Sequence, residues 1–107
     1  MDIKSLSENV GVDAETYLMI LDKFYEKTIE DMDVIETAIH ECKSEQIGRG
    51  AHSIKGAAGN LALDDIYELA QEIEEKATRN LLDEILPLML PLRDKIKHVG
   101  EVLQWRT

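Results

Sequence analysis

Residues 13–42 read DAETYLMILDKFYEKTIEDMDVIETAIHEC and contain neither glycine nor proline. One set of side chains in this stretch recurs every three or four residues, which is the spacing of one face of an α-helix. At about 1.5 Å per residue the helix would be roughly 40–45 Å long. A helix of that length in a chain of 107 residues predicts the spine of a helical bundle. Its core face consists of Tyr17, Leu21, Phe24, Thr28, Ile35, Ile39 and Cys42.

Three further amphipathic stretches follow the first long helix, separated by short breaks. Asp13 is expected to cap the first helix, because a carboxylate accepts hydrogen bonds from the unpaired N–H groups of a first turn. Asp64 is expected to do the same for the third helix. The predicted helices run from about Asp13 to Cys42, from Ser44 to Gly59 or Asn60, from Asp64 to the break at Arg79 and Asn80, and from Asp83 onward.

The last predicted helix contains two prolines. Pro87 lies near its first turn, and Pro91 lies inside it, where a missing donor and a steric clash predict a kink. Residues 1–12 form a short, partly helical lead-in. Four amphipathic helices with short connections predict an all-α fold. The expected architecture is an antiparallel up-and-down four-helix bundle with a short N-terminal helical lead-in, forming a single domain over residues 1–107.

The composition restricts the partners and the compartment. A formal net charge of −10 would repel nucleic acid and anionic membrane surfaces. Proteins with a basic or mixed face are therefore the expected partners. Cys42 is the only cysteine, so an intrachain disulfide is impossible and a cytoplasmic location is expected. The longest nearly apolar run, Ile85 to Leu92, is too short to span a membrane, and the first residues show no signal-peptide pattern.

The second predicted helix is unusually rich in glycine, although each interior glycine costs about 0.5–1 kcal/mol relative to alanine. On a helical wheel at roughly 100° per residue, Gly48, Gly56 and Gly59 lie within about 40° of His52. The apolar stripe lies on the opposite side, so His52 is predicted to face solvent. The three glycines would leave this face open to another protein. Gly50 lies on the far side of the helix and is expected to permit close helix packing.

An exposed imidazole among glycines suits phosphoryl transfer. The neutral ring dominates near pH 7 and offers one nitrogen as a nucleophile. Lys55 lies one turn further along the same face, where its ammonium could offset the charge of phosphoryl oxygens. Taken alone, an exposed histidine is usually an inert surface residue. Three glycines on its face favour the functional interpretation, because packing alone gives no reason for them there.

Residues 51–63 read AHSIKGAAGNLAL, and this stretch resembles the histidine phosphotransfer (HPt) family. The family pattern is a histidine, two residues, then Lys-Gly, followed by small residues. The resemblance implies that His52 is the phosphorylated residue and that Lys55 and Gly56 are the motif lysine and glycine. It further implies that Glu74, 22 positions after the histidine, hydrogen-bonds Nδ1 and leaves Nε2 as the nucleophile.

The same resemblance implies a phosphocarrier rather than an enzyme, with no cofactor of its own. Its partners would be a response-regulator receiver domain, which supplies an aspartate and Mg²⁺, and a sensor histidine kinase. The sequence shows no nucleotide-binding loop or kinase motif. One position departs from the family, which usually has glycine ten residues after the histidine. This chain has Ala62, which would cost about 1 kcal/mol or more in a left-handed conformation unless the turn is rebuilt.

Three alternatives remain open on the sequence. The first is the N-terminal phosphotransfer domain of a chemotaxis-type histidine kinase, which the acid at Glu74 favours. The second is a helical interaction bundle that is never phosphorylated. The third is a metal site, which the residue spacing disfavours because His40 and Cys42 diverge by about 200° on one helix. Its candidate ligands would be His40, Cys42, His52 and His98.

Apolar residues also lie off the main stripe of the first long helix. Leu18, Tyr25 and Ile29 form a second stripe, about 80–120° from the first. They either widen the core-facing surface or form an exposed apolar rim beside His52 for the receiver to dock on.

Overall fold

A computed structural model describes residues 1–105, and every regular element in that range is an α-helix. The predicted all-α fold is confirmed, and the long helices begin and end within a few residues of the predicted positions. Within the described range, no helix combines the length and apolar character needed to cross a membrane. The helices are α1 (Ile3–Val10), α2 (Ala14–His40), α3 (Ser44–Asn60), α4 (Asp64–Thr78) and α5 (Leu82–Trp105).

The four long helices form an up-and-down bundle about 41 Å long. Each packs against the helix that follows it, and α2 closes the bundle by packing against α5. The short helix α1 packs on α2. Helix α3 therefore has α2 on one side and α4 on the other, while α5 lies diagonally across the core. The site on α3 is bordered by α2 and α4.

The predicted apolar stripes face one continuous core, except at the end of the first, where Ile39 is partly buried and Cys42 is exposed beyond the end of α2. Tyr17, Leu21 and Ile35 of α2 are fully buried, as are Ile54 of α3 and Ile73 of α4. Removing these side chains from water is the main stabilising contribution to the fold.

Tyr17 also carries a polar group into the core. Its hydroxyl donates a hydrogen bond of 2.8 Å to the carbonyl oxygen of Leu61, which ties α2 to the turn after α3. Burial raises the pKa of Tyr17 to about 12. The phenol therefore stays protonated well beyond the pH at which exposed tyrosines ionise.

The predicted starts of α2 and α3 are confirmed, whereas the cap of α4 and the start of α5 differ from the prediction. The Asp13 carboxylate accepts from the N–H of Thr16 at 2.7 Å, as predicted for a cap. The prediction that Asp64 caps α4 is wrong, because Leu63 occupies the N-cap position and no side chain caps this helix. Leu63 is buried, so its anchoring in the core fixes where α4 starts. Helix α5 begins at Leu82, one residue before the predicted Asp83.

Three connections share one backbone geometry. Cys42, Ala62 and Asn80, each two residues after the end of a helix, adopt left-handed conformations with φ values of 56°, 57° and 56°. Each turn closes with a hydrogen bond from the next residue back to a helix carbonyl, such as Leu63 N–H to the oxygen of Ala58 at 2.9 Å. The turn after α3 is not rebuilt: Ala62 takes up the strained conformation itself.

Helix α5 continues through Pro87 and Pro91. Both prolines lie on its exposed face. Solvent can hydrogen-bond the carbonyl groups that the missing N–H donors leave unpaired, so the helix tolerates both residues.

Candidate functional site

His52 projects from the middle of α3 into solvent. Its side chain is 68% exposed, and its Nδ1 atom lies 2.7 Å from Oε2 of Glu74 on α4. The exposure predicted from the glycine face and the contact implied by the 22-residue spacing are both present. An ionised carboxylate only accepts hydrogen bonds, so this contact assigns the ring proton to Nδ1. The Nε2 lone pair is then free to act as a nucleophile.

Glu74 also contacts a cation, the ammonium of Lys55. Lys55 Nζ lies 2.6 Å from the other carboxylate oxygen, and both side chains are only about a quarter exposed. Partial burial opposes ionisation of Glu74, but hydrogen bonds from Lys55 and His52 lower its pKa overall. The hydrogen bond that Lys55 donates to Glu74 in turn raises the pKa of Lys55. The carboxylate is therefore charged at neutral pH and links the imidazole to the lysine.

Lys55 lies on the histidine face, as predicted, but its ammonium is directed to Glu74. The sequence interpretation placed this ammonium beside the phosphoryl oxygens. In the structure it neutralises the carboxylate that orients the ring. Its contribution to His52 is thus made through Glu74.

Two glycines on the face of His52, Gly48 and Gly59, lie next to α4. A Cβ atom added at Gly48 would lie 3.7 Å from Cβ of Ala77 on α4, and one added at Gly59 would lie 3.4 Å from the Tyr67 ring. Both distances are ordinary van der Waals contacts, so the spacing of α3 and α4 does not itself require glycine at either position. These two glycines border the neighbouring helix, while Gly59 is exposed and Gly48 lines the groove beside His52. Their part in a docking face stays a prediction.

Gly56 and Gly50 match their predicted roles in space. A Cβ atom at Gly56 would meet nothing within 4 Å, so this position keeps the surface beside His52 open. A Cβ atom at Gly50 would lie 2.6 Å from Cγ1 of Ile35, which is closer than packed carbons approach. Gly50 permits the close packing of α3 against α2.

A polar network on the α2 side of the site was not found from the sequence. The Ser53 hydroxyl donates to Oδ2 of Asp31 at 2.7 Å, and Lys27 Nζ lies 2.7 Å from Oδ1. The Asp31 side chain is only 8% exposed. The signal in the sequence is a carboxylate seven residues after Phe24 and four before Ile35, on the edge of the apolar stripe. Asp31 fixes the rotation of α3 against α2 at the residue next to His52.

A groove of about 590 Å³ runs from His52 along the junction of α3 and α4. Its wall carries an ion pair that the sequence interpretation did not single out: Arg49 lies 2.7 Å from Glu45, and both side chains are highly exposed. The residues lining this groove are Ser44, Glu45, Gly48, Arg49, His52, Glu74, Ala77, Thr78 and Asn80.

The proposed apolar docking rim is not beside His52. Tyr25 packs where Gly100 of α5 leaves space, since a Cβ atom there would lie 2.7 Å from its ring. Ile29, 41% exposed, lines a groove between α2 and α5 together with Tyr25. That groove is on the side of α2 away from α3. Leu18 packs against the core, so the wide core-facing surface is the correct interpretation for Leu18 and Tyr25.

The four residues weighed as metal ligands are not assembled into a site. Across residues 1–105, no group of three or more His, Cys, Asp or Glu side chains has an arrangement suited to a metal ion. His52 is instead paired with Glu74, and His98 lies near Glu101 on α5.

The model of the Hpt domain family matches residues 19–102, most of the chain. The chain belongs to the Hpt domain family. As an Hpt domain it also shares its fold with the crystal structure of histidine-containing phosphotransfer protein B (HptB) from Pseudomonas aeruginosa PAO1. The TM-score is 0.81 over 97% of this chain and 88% of that one, with 22% sequence identity. A comparison with curated protein sequences gave no significant match.

The family match accounts for the main features of the site. The Hpt pattern in this chain places the histidine, the lysine and Gly56 on one helix, and the fold brings Glu74 from the next helix to the ring. The chain is a histidine-phosphotransfer domain. Its departure from the family pattern at Ala62 leaves this arrangement intact, since the turn keeps its left-handed geometry.

Proposed function

We propose that His52 is the phosphoryl acceptor of this Hpt domain and exchanges the group with an aspartate of a receiver domain. The observation that carries the proposal is the exposed imidazole whose Nδ1 is held by Glu74 at 2.7 Å. This contact keeps the ring in one tautomer and presents Nε2 to an incoming protein. The open position at Gly56 leaves space for that protein to approach.

The transfer is a displacement at phosphorus. The Nε2 lone pair attacks the phosphorus of the receiver's aspartyl phosphate, forming a P–N bond as the P–O bond to the aspartyl carboxylate breaks. The carboxylate leaves with the electron pair, and the Nδ1 proton remains hydrogen-bonded to Glu74. The ring becomes cationic when Nε2 is phosphorylated, and the charge of Glu74 stabilises it. Mg²⁺ held by the receiver would stabilise the transferring group.

The chain would act as a phosphocarrier. A sensor histidine kinase would supply the phosphoryl group originally, and receiver domains would deliver or accept it. HptB carries the name of a phosphotransfer protein, which agrees with this role. We also propose that the protein works in the cytoplasm, where the exposed thiol of Cys42 stays reduced.

Two other hypotheses, an unphosphorylated interaction bundle and a chemotaxis-type kinase domain, receive less support. The Hpt family match and the organised site both argue against a bundle in which His52 is incidental. The acid at Glu74 is compatible with a chemotaxis-type kinase domain, but the comparisons do not favour that alternative.

The test is phosphoryl uptake from receiver domains of the same genome, charged with ³²P-acetyl phosphate and Mg²⁺. We expect the wild-type protein to acquire label that acid removes and base does not. His52→Gln should acquire none. His98→Gln is the matched control, since His98 is also exposed but lies on α5, and it should label as the wild type does. Label that persists in His52→Gln, or a wild type that takes up none from any receiver, would refute the proposal.

A further inference from the structure

The groove beside His52 contains a cation that the transfer chemistry described above does not use. Resting on the proposed function, we infer that Arg49 gives up its ion pair with Glu45 and binds the phosphoryl group on Nε2 of His52. In the unphosphorylated domain Arg49 forms an ion pair with Glu45, and in the phosphorylated domain it binds the phosphoryl oxygens. Arg49 is then a phosphoryl-binding residue that favours the phosphorylated state.

The position of Lys55 leaves this task open. Its ammonium is bound to Glu74 at 2.6 Å, and the same carboxylate holds Nδ1. If Lys55 moved to the phosphoryl group, its ion pair with Glu74 would be lost, and only the phosphorylated ring would balance the charge of the carboxylate. The two ring nitrogens point in divergent directions. Because Nδ1 contacts Glu74, Nε2 points away from Glu74. A second cation in the groove could bind the phosphoryl group without breaking the Lys55–Glu74 ion pair.

Arg49 is placed to provide that cation. It lies three residues before His52 on α3, a spacing at which helical side chains are neighbours, with Cβ atoms about 5–6 Å apart. A side chain on a helix leans toward the N-terminus, so the imidazole lies over the turn that contains Gly48 and Arg49. Gly48 has no side chain to stand between them. Arg49 and His52 accordingly line the same groove.

The exchange of partners costs little on the Glu45 side. The Glu45–Arg49 pair is an i,i+4 contact with side chains 80% and 75% exposed, a type of ion pair that contributes little to stability. Glu45 lies in the first turn of α3, where the unpaired N–H groups and the helix dipole stabilise a negative charge without a counterion. A phosphoryl group offers more charge than a carboxylate and a geometry that a guanidinium matches with two hydrogen bonds.

The test is the equilibrium constant for transfer between the protein and one phosphorylated receiver, with ³²P partitioned between them at concentrations where complexes are negligible. A change in how the two proteins dock alters the forward and reverse transfer rates by the same factor. It therefore leaves the equilibrium constant unchanged. We expect Arg49→Gln to shift the constant about three- to tenfold toward the receiver, as for one exposed charge-assisted contact. Glu45→Gln should shift it the other way, because it releases Arg49 before phosphorylation.

A matched pair elsewhere separates this contact from a general effect of charge. Arg93 of α5 forms an exposed ion pair with Glu36 of α2, at the junction remote from His52. Arg93→Gln changes the net charge by the same amount and should leave the constant unchanged. Equal shifts for Arg49→Gln and Arg93→Gln, or no shift for either, would overturn the inference while wild-type uptake upholds the proposed function. A wild type that takes up no phosphoryl group would remove both.

Discussion

The two oxygens of the Glu74 carboxylate accept hydrogen bonds from different groups, the His52 imidazole and the Lys55 ammonium, and this arrangement determines what substitutions of Glu74 should do. Glu74→Gln keeps an oxygen that can accept from Nδ1, but it removes the charge that stabilises the ring and releases Lys55. Glu74→Ala removes the contact entirely. We expect transfer to slow in both, by roughly 10–100-fold for alanine, as when a group that orients a reacting histidine is lost. Single-turnover transfer from a phosphorylated receiver measures this rate, and equal rates for wild type and Glu74→Ala would contradict the prediction.

Ala62 is strained where its family usually has glycine. With φ at 57°, its Cβ atom crowds the following carbonyl, and glycine would relieve that contact. Ala62→Gly should raise the free energy of unfolding by about 1 kcal/mol. Urea unfolding measures it. The control is Ala57→Gly, inside α3 at ordinary helical dihedrals, which should lower it by about 0.5–1 kcal/mol. A loss of stability in Ala62→Gly would show that the left-handed turn carries no strain.

At the scale of one element, α3 contains two glycines whose replacement by alanine should have opposite effects on stability. Gly56→Ala places a methyl group in open space and should raise the free energy of unfolding by about 0.5–1 kcal/mol, while slowing transfer by hindering the receiver. Gly50→Ala drives a methyl group into the buried side chain of Ile35 and should lower it by about 1–3 kcal/mol. Thermal melts and a transfer time course on each variant test this. Unchanged transfer in Gly56→Ala would show that the receiver does not approach there.

Helix α2 offers a matched pair for locating the docking surface. Val34 is 48% exposed and lies about 60° from Asp31 on the helical wheel, on the edge facing α3. Ile29, 41% exposed, lies on the edge facing α5. Val34→Lys should therefore slow transfer by weakening receiver binding, whereas Ile29→Lys should leave it unchanged. Binding of the receiver, followed by calorimetry, provides the second measurement. The reverse result would place docking at the junction of α2 and α5.

For the whole molecule, the buried Tyr17 hydroxyl links stability to alkaline pH. Its pKa is raised to about 12 in the folded protein, against about 10 in the unfolded chain. The folded state thus binds the proton more tightly, and its contribution to stability is complete below pH 10 and lost as the pH rises through 12. Urea unfolding between pH 9 and 12 should show a steeper loss for wild type than for Tyr17→Phe. Parallel curves would mean that the phenol ionises normally.

Most of the bundle could be predicted from the sequence because its four apolar stripes have clear helical spacing and its breaks are short. The contact between Glu74 and His52 followed from family spacing, not from the stripes. What the sequence does not contain is the rotation of each helix against its neighbours. Without that rotation, Asp31 is indistinguishable from a solvated acid, and the edge of α2 that carries Tyr25 could face either α3 or α5. The packing of Gly50 on Ile35 fixes α3 against α2, which places Asp31 at that junction. The packing of Tyr25 on Gly100 turns the edge of α2 that carries Tyr25 toward α5.

The exposure of His52 has a consequence for how long a signal lasts. A phosphoramidate on a side chain that is 68% exposed is reached by bulk water, and no lid among the described residues covers it. On the proposed function, the decay of the undelivered signal is set mainly by the intrinsic lifetime of the P–N bond. The fraction of phosphoryl groups delivered before hydrolysis then depends on how quickly a receiver is encountered, and therefore on the cellular abundance of the two proteins. Such a carrier is suited to relaying a message and poorly suited to storing one.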